Sequence, residues 1–145
     1  MAKEEKILDQ ELCFQLYVAS KEIIKMYKPL LAPYGVTYTE FITLLAIQGE
    51  MTVNDLGKQL YLDSGTLSPL LKKLEKKELL IRHRSPLDER KVLVKLTAKG
   101  KKIQKELPCV SRDVYDAHFA GEPLDLFALL GQVKELNQLF TKENL

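Results

Sequence analysis

Apolar residues recur at helical spacing through the first stretch of the chain, at Leu12, Leu16, Ala19, Ile23, Leu30 and Leu31. These intervals place the side chains on one face of a helix, with Asp9 as the expected cap and an end expected between Pro29 and Gly35. A second helix is predicted after Thr37 or Thr39, holding Phe41, Leu44, Leu45 and Ile47 and stopping near Gly49. Thr52 is expected to cap a short third helix with Val53, Leu56 and Leu60 around Gly57. A fourth follows Asp63, with Leu67, Leu70, Leu71 and Leu74 on one side. Pro69 belongs in a helix's first turn, so the fourth helix either begins later than Asp63 or is bent, and its start stays open by one turn.

After Glu78 the period changes. Residues 80–84 and 91–96 read as short strands, the second alternating Val92, Val94 and Leu96 against Lys91, Leu93 and Lys95. The polar segment Ser85-Pro-Leu-Asp-Glu-Arg90 links them as a hairpin loop. Thr97 is expected to cap a fifth helix running towards Phe119 and broken or kinked at Pro108, which lacks an amide donor. Gly121 and Pro123 open a last helix with Leu126, Leu129, Leu130, Val133, Leu136 and Phe140 on its apolar side. Helix, helix, helix, strand, loop, strand is the order of a winged helix-turn-helix. The expected fold is therefore mainly α, with a two-stranded β wing. The flanking helices carry too much apolar surface to stand alone on so small a module. They are expected to pack on a second copy as a homodimer. On this reading residues 1–145 form one domain. Residues 36–100 are its winged-helix part, and residues 1–35 and 101–145 its helical dimerisation part.

Charge changes the picture only through its distribution. The chain nets +2. Yet residues 52–105 hold fourteen basic side chains against six acidic ones, and the remainder holds eight against fourteen. A concentrated positive face selects a phosphate polyanion, because each neutralised phosphate releases condensed counterions. Other classes lose ground. The longest largely apolar run, residues 41–47 with Thr43 inside it, has seven residues, far short of the roughly 20 that span a bilayer. The charged start MAKEEKILDQ carries no secretory signal, so a cytoplasmic location without a membrane partner is expected. Cys13 and Cys109 are expected as thiols there, and with His83 and His118 they fit no zinc spacing. No Ser-His-Asp set or phosphate loop is present. Pro86, Asp88 and Glu89-x-Lys91 faintly resemble a nuclease metal motif but are too bunched to surround Mg²⁺. The expectation is a non-enzyme without metal or cofactor.

Small hydroxyl residues crowd the start of the fourth helix: Ser64, Thr66 and Ser68. Such residues let a helix N-terminus approach the major groove and donate to bases or phosphates. Lys72, Lys73, Lys76 and Lys77 follow and suit flanking phosphates. Taken alone, this pattern is equally a surface helix with solvated lysines. The hairpin supplies the second half. Arg82, Arg84 and Lys91 surround its loop, and Arg90 at the tip suits a narrow minor groove, with Asp88 two residues earlier to hold it by a charge-assisted hydrogen bond. Paired reading heads match a pseudo-palindromic duplex site.

These residues carry a resemblance. Asp88-x-Arg90 followed by Leu96-Thr97-x-x-Gly100, after Asp63-Ser-Gly-Thr-Leu, resembles the MarR family of bacterial repressors over nearly the whole chain. The resemblance implies a homodimeric winged-helix repressor, with a recognition helix from about Ser64 and Arg90 entering the minor groove. The N-terminal stretch Glu11-Leu-Cys13-Phe-Gln-Leu-Tyr17, then Met26-Tyr27, then Thr37-Tyr38, is similar to the organic-hydroperoxide-sensing branch, the OhrR-like repressors and their staphylococcal SarZ and MgrA-type relatives. It implies that Cys13 is oxidised, and that Tyr27 and Tyr38 hydrogen-bond its thiolate from the partner subunit. It also makes Tyr17 a further pocket residue. Cys109 is then either a resolving thiol or a packed residue beside Pro108, with a small cellular thiol as the other route to a disulfide.

Physical chemistry lends this some independent support. A cysteine early in a helix lies where the macrodipole favours an anion, and Tyr17, four residues on, shares its face. Tyr27 lies fourteen residues on, about 21 Å along a straight helix, so contact demands an antiparallel neighbour or a chain reversal, which a dimer supplies. By spacing alone Cys13 is equally a small buried hydrophobe among core aromatics. Two rival functions follow. One is a repressor released by a small aromatic ligand; the other is a nonspecific architectural DNA binder.

Overall fold

The computed structural model describes residues 6–142. The outermost parts of the expected dimerisation segments, residues 1–5 and 143–145, lie outside the described residues. A 3-10 turn at Ile7–Gln10 precedes α1, Leu12–Leu31. Asp9 sits inside that turn and is not the cap: Glu11 holds the cap position, with no side-chain hydrogen bond. Cys13 is therefore the second residue of α1. After another 3-10 turn, Ala32–Tyr34, come α2 (Tyr38–Ala46), β1 (Met51–Thr52), α3 (Val53–Leu60) and α4 (Ser64–Lys76). Strands β2 (Leu80–Arg84) and β3 (Val92–Leu96) form the hairpin, and α5 (Ala98–Glu106), α6 (Pro108–His118) and α7 (Leu126–Lys142) complete the chain.

Side-chain caps start five of these helices, Asp125 Oδ1 accepting from the Ala128 amide at 3.1 Å ahead of α7. Thr37 accepts from the Glu40 amide while Glu40 returns to the Thr37 amide, a reciprocal capping box. Thr52 accepts from the Asp55 amide, Asp63 from Thr66 and Thr97 from Gly100. Pro108 divides the predicted fifth helix and stands first in α6, where its missing N–H costs nothing.

The wing has three strands, not two, in the order β1-β3-β2. Met51 pairs with Val94, Leu80 with Leu96 and Arg84 with Val92, all antiparallel. Two-residue β1 is too short to show alternation in a sequence. Its effect is to anchor the sheet directly to the cap of α3.

The core lies under α2, α3, α4 and the sheet. Leu44, Leu56, Leu71, Leu74 and Val94 are fully enclosed there, and Leu31, Leu107 and Val110 extend the same cluster towards α1 and α6. The outer helices stop short of such enclosure. Leu12 and Tyr17 of α1, Tyr115 of α6 and Phe127, Leu130 and Leu139 of α7 are exposed, Phe127 to 86%.

A candidate nucleic-acid interface and thiol site

Helices α3 and α4 form the helix-turn-helix. Tyr61 ends α3 in the left-handed region at φ 57°, and the Leu62 amide donates back to the Gly57 carbonyl at 2.9 Å. A Cβ on Gly57 would stand 2.9 Å from the Leu62 carbonyl oxygen, so glycine lets the turn close this tightly. Asp63 then starts α4, its Oδ1 accepting from the Thr66 amide at 2.7 Å. The Thr66 side chain and backbone N–H hold the Asp63 carboxyl below its usual range. This settles the open start: the helix begins at Ser64, and Pro69 lies inside it with its ring on the exposed side. Leu67, Leu71 and Leu74 face the core. Ser64, Thr66, Ser68, Lys72 and Lys73 are all exposed.

The wing stands beside this face. Ser64, Ser68, Arg82, Arg90 and Lys91, with Thr52 and Asn54, border one open groove of about 590 Å³. Arg90 is held at the tip. Asp88 Oδ1 accepts from its backbone N–H at 3.1 Å and from its Nε at 3.3 Å. The Arg90 side chain is still 92% exposed. Two other cations of the predicted set brace the scaffold. Arg82 pairs through Nε with Glu75 of α4, and Arg84 donates from Nη1 to the Glu89 carbonyl at 2.8 Å. Arg82 is half-buried and commits its charge to Glu75, whereas Arg84, Arg90, Lys91, Lys72 and Lys73 are exposed. His83 is 3.0 Å from a Glu50 carboxylate oxygen.

Lys77 departs from the sequence reading altogether. Its Nζ donates to both carboxylate oxygens of Glu40, at 2.9 and 2.8 Å, and to the Gly35 carbonyl at 2.8 Å. Glu40 is only 1% exposed. Lys77 therefore ties the end of α4 to the start of α2 and is not disposed towards phosphate.

The thiol residues separate into two groups. Cys13 and Tyr17 are exposed near the start of α1, with Lys21 Nζ 5.6 Å from the centroid of the Tyr17 ring. Tyr27 and Tyr38 meet elsewhere, edge to face at 5.0 Å, and Phe41 completes an aromatic trio. Tyr27 donates to Ser111 Oγ at 3.1 Å. Burial, then the neighbouring Tyr27, pushes the Tyr38 phenol above its ordinary value. Tyr38 thus stays a hydrogen-bond donor, as a thiolate partner must. Cys109 is exposed, with Sγ 2.7 Å from the Glu106 carbonyl it donates to. Tyr34, absent from the sequence reading, neighbours Cys109, and its phenol is raised first by burial and then by that thiol.

These features meet a known pattern. The sequence profile described as transcriptional regulator SarA/Rot matches residues 25–107, more than half of the chain. The chain belongs to the SarA/Rot family of transcriptional regulators. The SarZ regulator of Staphylococcus epidermidis is 48% identical over 118 residues, 80% of this chain and 80% of that protein. Among solved structures, reduced AbfR bound to DNA superposes with a TM-score of 0.78 at 28% identity, covering 98% of both chains. A mutant of MarR from E. coli, complexed with operator DNA, gives 0.72 at 25% identity over 89% of this chain and 99% of its own. The fold is accordingly the winged helix of MarR-type regulators, and the family's role is transcriptional regulation, not catalysis.

For a regulator of this family the structure assembles half of the expected machinery within a single chain. The groove residues converge, and so do Tyr27 and Tyr38. Fourteen residues of α1, about 21 Å of helix, separate Cys13 from Tyr27 within the chain. Among the described residues no cluster of His, Cys, Asp and Glu could hold a metal, and no helix is long and apolar enough to cross a membrane.

Proposed function

We propose that this chain works as a homodimeric, cytoplasmic repressor that grips a pseudo-palindromic duplex operator and lets go when Cys13 is oxidised. The observation that carries the duplex part is the groove. Ser64 and Ser68 of α4 line it together with Arg90 and Lys91 of the wing. A helix start fits the major groove, and an arginine tip fits the adjacent minor groove. AbfR and MarR are bound to DNA in structures of the same fold, which supports this use. The dimer reading rests on the exposed apolar faces of α1, α6 and α7. In this assembly residues 36–100 are the reading part and the two helical flanks the pairing part.

Cys13 is exposed in the single chain and stands on that apolar surface beside Leu12 and Tyr17. A second copy covering this face brings phenols such as Tyr27 and Tyr38 to the sulfur. A hydroperoxide ROOH then oxidises the thiolate: sulfur takes the terminal oxygen, ROH leaves after one protonation, and Cys13 becomes a sulfenic acid. A thiol R′SH condenses with it, forming the S–S bond and releasing water. Cys109 of the same chain cannot be that thiol. It lies beside Tyr34, past the far end of α1, and α1 alone separates Cys13 from Leu31 by about 27 Å. A disulfide spans less than about 7 Å between Cα atoms. The second thiol is therefore a small cellular thiol or Cys109 of the other copy, and intact mass after peroxide treatment of Cys109→Ser distinguishes them.

The test is an operator titration with and without an organic hydroperoxide. Wild type should lose at least about tenfold in affinity on oxidation, well within the 10³-fold or more that separates specific from nonspecific binding, and Cys13→Ser should lose none. If peroxide leaves both unchanged, the redox reading fails. The aromatic trio of Tyr27, Tyr38 and Phe41 then becomes the wall of a ligand site. Equal affinity for random and selected duplexes at matched salt would instead identify an architectural binder.

Two substitutions separate reading from positioning. Arg90→Ala should weaken operator binding by about 1–3 kcal/mol. Lys72→Ala should weaken all duplexes alike and reduce the salt slope by about one unit. Identical behaviour of the two variants in a salt series would remove the special role of the wing.

A further inference from the structure

The wing tip presents an apolar side chain that nothing in the chain covers. Leu87 is 96% exposed. A lone surface leucine needs no explanation in itself, but the loop around this one is tied down. The Ser85 amide donates to the Lys91 carbonyl at 2.8 Å, and the Lys91 amide to the Asp88 carbonyl at 2.9 Å. The Leu87 amide donates to Ser85 Oγ at 3.2 Å, and Ser85 is itself buried. Arg84 and Asp88 fasten the other side through the Glu89 carbonyl and the Arg90 backbone. Burying a leucine is favourable, so a loop free to relax would turn this side chain inward. The hydrogen bonds fix the loop that holds it out, three residues before Arg90.

The minor groove explains that pairing. Its walls are deoxyribose, and an aliphatic group packs on them without losing a hydrogen bond. Its floor is smooth acceptor surface at A·T pairs, whereas G·C adds the projecting guanine 2-amino donor. An aliphatic side chain against that floor obstructs the amino group and offers it no acceptor. Apolar side chains serve this way in other minor-groove binders. We propose that Leu87 is a specificity-determining residue of the wing, packing beside Arg90 in the minor groove and selecting A·T over G·C at the base pair it faces. The inference rests on the wing–duplex reading above and adds which base pair the wing accepts and why.

The test starts from a palindromic duplex that the wild-type protein selects from a randomised pool, with minor-groove contacts located by hydroxyl-radical footprinting. Each protected A·T pair is replaced by G·C, or by inosine·C, which keeps the major-groove face of G·C and lacks the 2-amino group. At the pair facing the wing, G·C should weaken wild type by about tenfold, within the usual cost of one wrong pair, and inosine·C should restore binding. Leu87→Ala, which removes only exposed atoms, should unfold as wild type does and narrow the discrimination below about threefold. If Leu87→Ala keeps the full discrimination while Arg90→Ala still weakens binding, this inference is overturned and the wing reading stands. Inosine·C binding as poorly as G·C in wild type overturns it equally. If Arg90→Ala binds the selected duplex as wild type does, the wing reading falls and takes this inference with it.

Discussion

Gly100→Ala should lower the unfolding free energy by about 3 kcal/mol, at the upper end of the usual cost of overpacking, and urea denaturation should read the loss directly. Gly100 is the third residue of α5, and a Cβ there would stand 2.0 Å from the Leu79 carbonyl oxygen and 3.3 Å from Leu96 Cβ. Neither neighbour can give way cheaply. The Leu79 carbonyl accepts from the Thr97 amide at 3.0 Å, and both leucines are buried. The same spot is fastened by Thr97. Its Oγ1 donates to the Glu78 carbonyl at 2.7 Å and accepts from the Gly100 amide at 3.0 Å. The Leu96-Thr97-x-x-Gly100 motif is thus a packing device that seats the start of α5 on the wing. Gly65→Ala is the matched control, since its Cβ meets only Asp63 Oδ1 at 3.6 Å and alanine favours a helix. Gly65→Ala should keep wild-type stability. Equal stability of Gly100→Ala and wild type would mean that α5 sits farther from β2 and β3 than described.

Much of this architecture was legible because the information was local. Leucines three and four apart located α3 and α4, and Thr37, Thr52, Asp63 and Thr97 marked helix starts by the hydrogen bond each side chain can give its own backbone. What escaped depends on contacts between distant residues. Two-residue β1 exists only because β3 pairs with it. The first helix cap was misplaced at Asp9, since a carboxylate ahead of an apolar stripe looks the same whether it starts a helix or ends a 3-10 turn. The aromatic trio was half legible: Tyr27 and Tyr38 stood out, while Phe41 passed as core and Tyr34 gave no signal. The largest misreading concerned charge. Lys72, Lys73, Lys76 and Lys77 look alike as a run, and so do Arg82, Arg84 and Arg90. Only the fold reveals that Glu75 claims Arg82 and Glu40 claims Lys77. A basic stretch in a sequence therefore bounds the charge available to a polyanion from above.

Lys77 makes that point measurable. Lys77→Ala should destabilise the fold by about 3 kcal/mol, because it strips a buried carboxylate of its cation. It should also leave the salt slope of operator binding at the wild-type value. Glu40 keeps the Thr37 backbone N–H at 3.2 Å and the Thr37 hydroxyl at 3.0 Å after the lysine is gone. The positive end of α2 also favours the carboxylate. The loss is therefore expected at the lower end of the range for broken buried pairs. Removing both charges in Glu40→Gln/Lys77→Met should recover part of the stability, since no uncompensated carboxylate remains. The double-mutant cycle then isolates the pair's coupling. A phosphate-contacting lysine behaves in the opposite way: truncation leaves stability near wild type and flattens the salt dependence. Urea denaturation and a salt titration on the same protein separate the two roles. A stable Lys77→Ala with a reduced salt slope would return this lysine to the DNA-facing set and leave Glu40 without its partner.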